Sequence, residues 1–332
     1  MKKFAVLGAG SWGTTLADML SRKGLAVSLW VREKELAGEI ASGRENTWYL
    51  PGVELPQELK VSADAPEVLE GSDCVLVVIP CQFMRGVLES LKDHFPDKPV
   101  VICASKGVEL ATLKPQSSVI NEALAGKNPR YAVLSGPSFA GEVSRRLPTA
   151  VSLGCEDVNL GMQLQDLIST DFFRVYANPD YRGVELGGAL KNIMAVAAGI
   201  SDGLEFGLDA RAALITRGLV EMGRLGVAMG GREKTFMGLS GMGDLVLTCT
   251  GDLSRNRQVG LDLGRGKNLT QILAERKTVA EGVKTTESVY KLSRRLGVEM
   301  PITEQVYRVL FEDRDPRSAV EELMTRELKM EQ

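Results

Sequence analysis

The chain has 332 residues, 44% of them hydrophobic and 25% charged, with a formal net charge of −3 at pH 7. That length exceeds what one hydrophobic core usually serves, so two domains are expected. The nearly balanced charge leaves no broad electrostatic footprint for nucleic acid or for an anionic membrane. No apolar run comes near the roughly 18–20 residues of a bilayer span, so no membrane span is expected. The five cysteines (Cys74, Cys81, Cys103, Cys155, Cys249) are odd in number and form no C-x-x-C pair. Neither a disulfide framework nor a metal site is indicated, and a reducing cytoplasm fits.

The opening M-K-K-F-A-V-L-G-A-G has a short apolar stretch without a small-residue cleavage site and is read as mature protein, not as a signal peptide. It forms a strand, K-F-A-V-L-G, that runs into G-x-G-x-x-G at Gly8, Gly10 and Gly13, just before the helical pattern T-T-L-A-D-M-L-S-R-K-G. In that strand–turn–helix context the motif predicts dinucleotide binding: Gly8 makes the tight turn, Gly10 lets the pyrophosphate approach, and Gly13 lets the helix pack. After the next strand, A-V-S-L-W-V, stand Arg32 and Glu33. Arg32 suits the 2′-phosphate of NADP, which is favoured, and Glu33 suits the ribose of NAD, which stays open.

Residues 46–60, with Pro51, Gly52 and Pro56, read as a long loop of the kind that often borders a site. Further strands follow at D-C-V-L-V-V-I, P-V-V-I-C-A, Y-A-V-L-S and A-V-S-L-G, with another possible at F-F-R-V-Y, and helical patterns fall between most of them. This alternation predicts an α/β, Rossmann-type, doubly wound and mostly parallel sheet. A-S-K-G-V-E (104–109) and S-G-P-S-F-A-G-E-V (135–143) follow strands and should lie at their carboxyl ends, which places Lys106 and Ser138 towards a ligand. The only histidine, His94, sits in the polar connection K-D-H-F-P-D and reads as a surface residue. An enzyme on this chain working near neutral pH would therefore need a retuned lysine, carboxylate or similar group for proton transfer.

After Asn178 the strand pattern fades, and helical periodicity appears at 182–199, 208–229, 255–264, 281–295, 302–311 and 316–328. The turn signal N-P-D (178–180) divides a dinucleotide-binding domain, residues 1–180, from an all-α substrate-binding domain, residues 181–332. Within 182–199, Lys191 interrupts an apolar pattern of Val184, Leu186, Leu190, Ile193, Met194, Val196 and Ala197. Spacing alone leaves open whether this lysine snorkels to solvent or sits in a site. At L-S-R-N-R-Q-V-G, Ser254 can cap a helix whose first turn carries Arg255, Asn256 and Arg257. Two arginines at a positive helix start suggest an anion held between their guanidinium groups, a phosphate above all.

Taken together, G-A-G-S-W-G, A-S-K-G, S-G-P-S-F-A-x-E-V, E-L-x-x-A-L-K-N, G-L-S-G-M-G-D-L-x-x-T-C, S-R-N-R and V-A-E-G-V-x-T make the chain resemble the bacterial NAD(P)-dependent glycerol-3-phosphate dehydrogenases. The resemblance runs from the first strand to about Pro301. It implies a Rossmann domain followed by a helical domain, paired as a homodimer. The activity it implies is interconversion of dihydroxyacetone phosphate and sn-glycerol 3-phosphate for phospholipid synthesis. Matched by position, Ser11, Trp12, Arg32, Lys106, Ala140, Arg255, Val279 and Glu281 become cofactor contacts. Lys106, Gly136, Ser138, Lys191, Asp244, Ser254, Arg255 and Asn256 become substrate contacts, with Lys191 the proton acceptor in alcohol oxidation.

On that reading Lys106 helps polarise the carbonyl, Asp244 orients or partly neutralises the lysine pair, and burial makes Lys191 a better base than a solvated amine of pKa about 10.4. Asn192 fits either an assisting amide or the helix surface. Two other readings use the same residues. One is a related dehydrogenase of a 3-hydroxy acid or ketopantoate-like substrate, and the other is a dinucleotide sensor without catalysis, which would not need Lys106, Lys191 and Asp244 together.

Overall fold

The computed structural model describes residues 1–275, 280–328 and 330. They form two compact units, Met1–Lys106 with Lys114–Glu185, and Gly107–Leu113 with Leu186–Gln332.

The first unit is built on β1 (Lys3–Leu7), β2 (Ala26–Trp30), β5 (Lys60–Ser62), β6 (Cys74–Val77), β7 (Val100–Cys103), β8 (Arg130–Ser135), β9 (Thr149–Gly154) and β10 (Phe173–Asn178). The sheet order is β10-β9-β8-β7-β6-β1-β2-β5. All neighbours run parallel except β8 and β9. Alternate residues of one strand serve opposite cores, as the two-residue period of a strand requires. Phe4, Val6, Leu29, Leu76 and Ile102 enter one core, and Ala5, Leu7, Val75, Val77 and Val101 enter the other. Helices α1 (Ser11–Arg22), α2 (Lys34–Gly43), α3 (Ala65–Leu69), α4 (Cys81–Leu91), α5 (Gln116–Ala123), α6 (Ala140–Val143) and α7 (Val158–Ile168) complete the unit.

All seven expected strands form. The 46–60 stretch differs from a plain loop: Glu45–Asn46 (β3) and Leu50–Glu54 (β4) make a small antiparallel hairpin, and its last residue is the first of β5. Because successive strands branch to either side of β1, with β2 on one side and β6 on the other, the turn after β1 lies at a topological switch point.

The second unit is helical. Its elements are α8 (Tyr181–Gly203, the first five residues grouped with the first unit), α9 (Gly207–Ala228), α10 (Glu233–Phe236), α11 (Asp244–Thr250), α12 (Arg255–Gly264), α13 (Leu269–Ala274), α14 (Glu281–Leu296), α15 (Pro301–Phe311) and α16 (Pro316–Met324). The six expected helices are present, although α16 stops at Met324 rather than continuing to 328. The short α10, α11 and α13 lack enough turns to register as periodic patterns. Contrary to the expectation from apolar runs, α8 is long and apolar enough to cross a membrane, but its apolar window is entirely buried in the protein. It is the central core helix, packing Leu186, Leu190, Ile193, Met194 and Val196 into the unit.

Near its start α8 carries Glu185, 5% exposed, whose carboxylate accepts from the Ser117 amide (2.7 Å), the Ser117 hydroxyl (2.8 Å) and the Tyr131 hydroxyl (2.9 Å). Ser117 lies in the first turn of α5, whose own cap supplies no side-chain acceptor, so the carboxylate caps it from outside. Burial raises the Glu185 pKa above its ordinary 4.5, outweighing the Ser117 and Tyr131 hydrogen bonds that lower it. A raised folded pKa means that the folded state holds this proton more tightly than the unfolded chain does. The contribution to stability is therefore complete below about pH 4.5 and is lost as pH rises through the folded value. Glu185→Gln removes that slope. The melting-temperature deficit of the variant against the parent should be smaller at about pH 7.5 than at about pH 5, as scanning calorimetry can measure, and an unchanged deficit would contradict the assignment.

Candidate active site

Backbone contacts shape the glycine turn. Gly8 has φ +115°, and a Cβ there would lie 2.5 Å from the Val78 carbonyl oxygen, while a Cβ on Gly13 would overlap the Gly8 carbonyl. Only glycine lets β1, α1 and the end of β6 meet this closely. Gly10 has open space where a Cβ would stand. It is the N-cap of α1, a helix start with no side-chain cap and no acid in its first turn. A helix start with no side-chain cap beside an open glycine fits the pyrophosphate of a dinucleotide.

Around this turn, the Ser11 hydroxyl donates to the Tyr49 carbonyl (2.5 Å), and Trp12 packs half-buried on the core, its ring 6.4 Å from that of Phe173. Arg32 extends into solvent and grips Glu33 through Nε (2.9 Å) and Nη2 (2.5 Å).

Lys106 follows β7 in a loop moored by Ser105, whose hydroxyl donates to the Ile79 carbonyl (2.6 Å). After β8, Gly136 is pressed against Val151, 2.8 Å from where a Cβ would meet its Cα. The Ser138 hydroxyl turns back to the Gly136 carbonyl (3.3 Å), and Ala140 begins α6. These residues follow β7 and β8, at the strand ends where open α/β sheets bind ligands.

In the second unit Lys191 is 6% exposed and Asp244 1%. The lysine does not snorkel: its Nζ lies 2.5 Å from Asp244 Oδ1 and 2.5 Å from Thr248 Oγ1. Asp244 and Thr248 stand one turn apart on α11, and the Thr248 hydroxyl donates to the Asp244 carbonyl (2.6 Å), which turns its lone pairs to the ammonium. The close approach of α8 to this cluster is made at Gly187, one turn before Lys191. A Cβ there would lie 2.6 Å from the Ser240 carbonyl oxygen, in the π-helical turn Leu239–Gly243 that leads into Asp244. Removing two opposite charges from water costs several kcal/mol per ion before their attraction repays it, so such a pair is weak as a stabilising device and draws attention as chemistry. The neighbouring Cys249 thiol is pushed up to about 12 by burial and stays protonated at neutral pH. All five cysteines are buried.

At the start of α12 the Ser254 hydroxyl caps the Arg257 amide (3.2 Å). Arg255 is exposed, whereas Arg257 is buried and committed to Asp202 (Nη2 2.7 Å, Nε 2.8 Å) and Asp252 (3.0 Å). The expected anion clasp of two guanidinium groups is thus corrected: Arg257 locks the turn, and only Arg255 of the two is presented outward. Asn256 Oδ1 accepts from the Gly282 amide (3.0 Å), beside Glu281 in the first turn of α14. Asn192 is buried, not on the helix surface. Val279 lies outside the described residues. Helix α12 crosses α8 with backbones nearly touching, since a Cβ on Gly203 or Gly264 would lie 2.5 Å from the carbonyl oxygen of Leu261 or Ile200. That contact fixes the Ser254–Asn256 turn relative to the helix that carries Lys191.

Thr248 and Gly187 were not singled out from the sequence. Thr248 stands four residues after Asp244, a same-face helical spacing that was legible once Asp244 was in view.

Two family models, the N-terminal and C-terminal parts of NAD-dependent glycerol-3-phosphate dehydrogenase, match residues 3–161 and 180–321. The chain is 60% identical over 329 residues to the glycerol-3-phosphate dehydrogenase [NAD(P)+] of Maridesulfovibrio salexigens, covering 99% of this chain and 100% of that protein. It is 61% identical, with the same coverage, to that of Solidesulfovibrio magneticus. The crystal structure of glycerol-3-phosphate dehydrogenase from Coxiella burnetii superimposes with a TM-score of 0.94 at 43% identity, covering 98% of this chain and 99% of that one. With two models spanning nearly the whole chain and relatives this similar at full length, the protein belongs to the NAD-dependent glycerol-3-phosphate dehydrogenase family.

Proposed function

We propose that this protein interconverts dihydroxyacetone phosphate and sn-glycerol 3-phosphate with NAD or NADP, supplying glycerol 3-phosphate for phospholipid synthesis. The observation that carries this reading is the buried Lys191–Asp244–Thr248 cluster in a chain that matches the family over nearly its whole length. Residues 1–180 hold the dinucleotide and residues 181–332 the substrate. In the first segment the open, uncapped start of α1 at Gly10–Gly13 receives the pyrophosphate, and Ser11, Trp12 and Ala140 border the cofactor. Arg32 and Glu33, side by side, offer a cation for a 2′-phosphate and a carboxylate for a 2′-hydroxyl, with NADPH modestly preferred. Arg255, Val279 and Glu281 complete the cofactor contacts.

When bound, the reduced nicotinamide supplies hydride to the ketone carbon. Negative charge then develops on the substrate oxygen, where Lys191 donates a proton and Lys106 stabilises the charge. In the oxidative direction neutral Lys191 takes the hydroxyl proton. Asp244 and Thr248 aim the Lys191 amine, and Asp244 offsets positive charge in a dry setting. Gly136 and Ser138 contact the substrate, whose phosphate is held by Ser254, Arg255 and Asn256 at the α12 start, where a helix N-terminus and a guanidinium combine. The protein works as a cytoplasmic homodimer.

The test is steady-state oxidation of NADPH and NADH with dihydroxyacetone phosphate, run beside ketopantoate and a 3-keto acid. The highest kcat/KM is expected with dihydroxyacetone phosphate. Turnover only on the carboxylate ketones would assign the related dehydrogenase instead, and cofactor binding without turnover on any of them would assign a sensor.

A further inference from the structure

The hairpin beside the glycine turn holds a side chain that no motif pointed to. Asn46, in β3, is completely buried. Its Nδ2 donates to the Ala9 carbonyl (2.9 Å) and to Thr14 Oγ1 (2.8 Å), and its Oδ1 accepts from the Tyr49 amide (3.1 Å). Thr14 Oγ1 in turn donates to the Ala9 carbonyl (3.2 Å). One buried amide therefore ties the carbonyl between Gly8 and Gly10, the first turn of α1 and the tip of the β3–β4 hairpin. The Ser11 hydroxyl makes a second tie to that tip at the Tyr49 carbonyl (2.5 Å).

In a trans peptide the C=O and the following N–H point in opposite directions, and no cis peptide occurs among the described residues. Holding the Ala9 carbonyl on Asn46 and Thr14 thus turns the Gly10 N–H away from the hairpin. Gly10 is the position where the backbone meets open space. We infer that Asn46 is a positioning residue for dinucleotide binding: it fixes the Ala9–Gly10 peptide so that the Gly10 amide is presented to the pyrophosphate before the cofactor arrives. The inference rests on the dinucleotide-binding reading of the glycine turn. It adds a residue outside the glycine motif that sets the affinity of that turn, by a preorganisation that a mobile peptide would lack.

The experiment measures NADH and NADPH dissociation constants by quenching of intrinsic tryptophan fluorescence, together with steady-state kinetics, for the parent, Asn46→Asp and Thr14→Val. Asn46→Asp keeps the shape but sets a carboxylate oxygen against the Ala9 carbonyl, and Thr14→Val removes only the shared hydroxyl. The expected result is a cofactor Kd and KM raised about tenfold or more in Asn46→Asp and severalfold in Thr14→Val. The KM for dihydroxyacetone phosphate and the kcat at saturating cofactor should change less than twofold, and Thr14→Ser should restore the parent Kd. Lowered melting temperatures with unchanged cofactor Kd would overturn the proposal, leaving Asn46 a purely structural residue. If Asn46→Asp does not fold, unchanged Kd in Thr14→Val overturns it alone. Failure of the parent to bind either nucleotide would instead refute the dinucleotide reading, and this proposal with it.

Discussion

Replacing Lys191 by Met should lower turnover by about two to four orders of magnitude, the usual contribution of a general acid–base group, while leaving the cofactor Kd close to the parent value. The substitution removes the ammonium and also leaves the Asp244 carboxylate, 1% exposed, without its cation. Breaking a buried ion pair from one side typically costs about 3–5 kcal/mol, so a loss of activity could reflect a destabilised fold. The double variant Lys191→Met/Asp244→Asn separates the two effects, because it removes the stranded charge along with its partner. It should recover most of the lost melting temperature and none of the lost turnover. Near-normal kcat in either variant would remove Lys191 from the chemistry.

Replacing Arg255 by Ala should raise the KM for dihydroxyacetone phosphate about ten- to hundredfold, the range for one charge-assisted hydrogen-bonding group to a phosphate. The NADPH KM should rise less, and kcat should fall modestly as the carbonyl loses its fixed position. The neighbouring arginine is the built-in comparison. Arg257→Ala breaks the buried ion pair with Asp202 as well as its contact to the exposed Asp252, so its main effect should be on melting temperature. If Arg255→Ala left substrate dependence unchanged, phosphate anchoring at the α12 start would be wrong.

The contrast between these arginines shows how far sequence reading reaches. Two residues apart on a helix they point about 200° apart, so they do not face the same ligand. Composition of the turn made both look like anion ligands, but helical geometry sends one inward to Asp202. The centre of the sheet was legible because β6 (CVLV) and β7 (VVIC) are short, continuous apolar runs, as a strand buried on both faces requires, whereas the three-residue edge strand β5 (KVS) carries no such signal. The β3–β4 hairpin was not, since β3 has two residues and Pro51 interrupts β4. Asn46 went unseen for the same reason: an asparagine in an apparent loop reads as a turn former, and only the packed hairpin turns its amide onto the glycine turn. Around Lys191 the apolar periodicity marked a core helix but left open whether the lysine snorkels or sits in a site. Its link to Asp244 came from family resemblance alone, because 53 residues separate the two and no local pattern spans them.

The most direct test of the central claim is a crystal structure of the protein with oxidised cofactor and dihydroxyacetone phosphate, a dead-end pair that cannot react. The account predicts Lys191 Nζ within about 3 Å of the ketone oxygen, still braced by Asp244 and Thr248, with the phosphate at the Ser254–Asn256 turn. A Lys191 amine held away from the ketone, with another residue or bulk water at its oxygen, would contradict it.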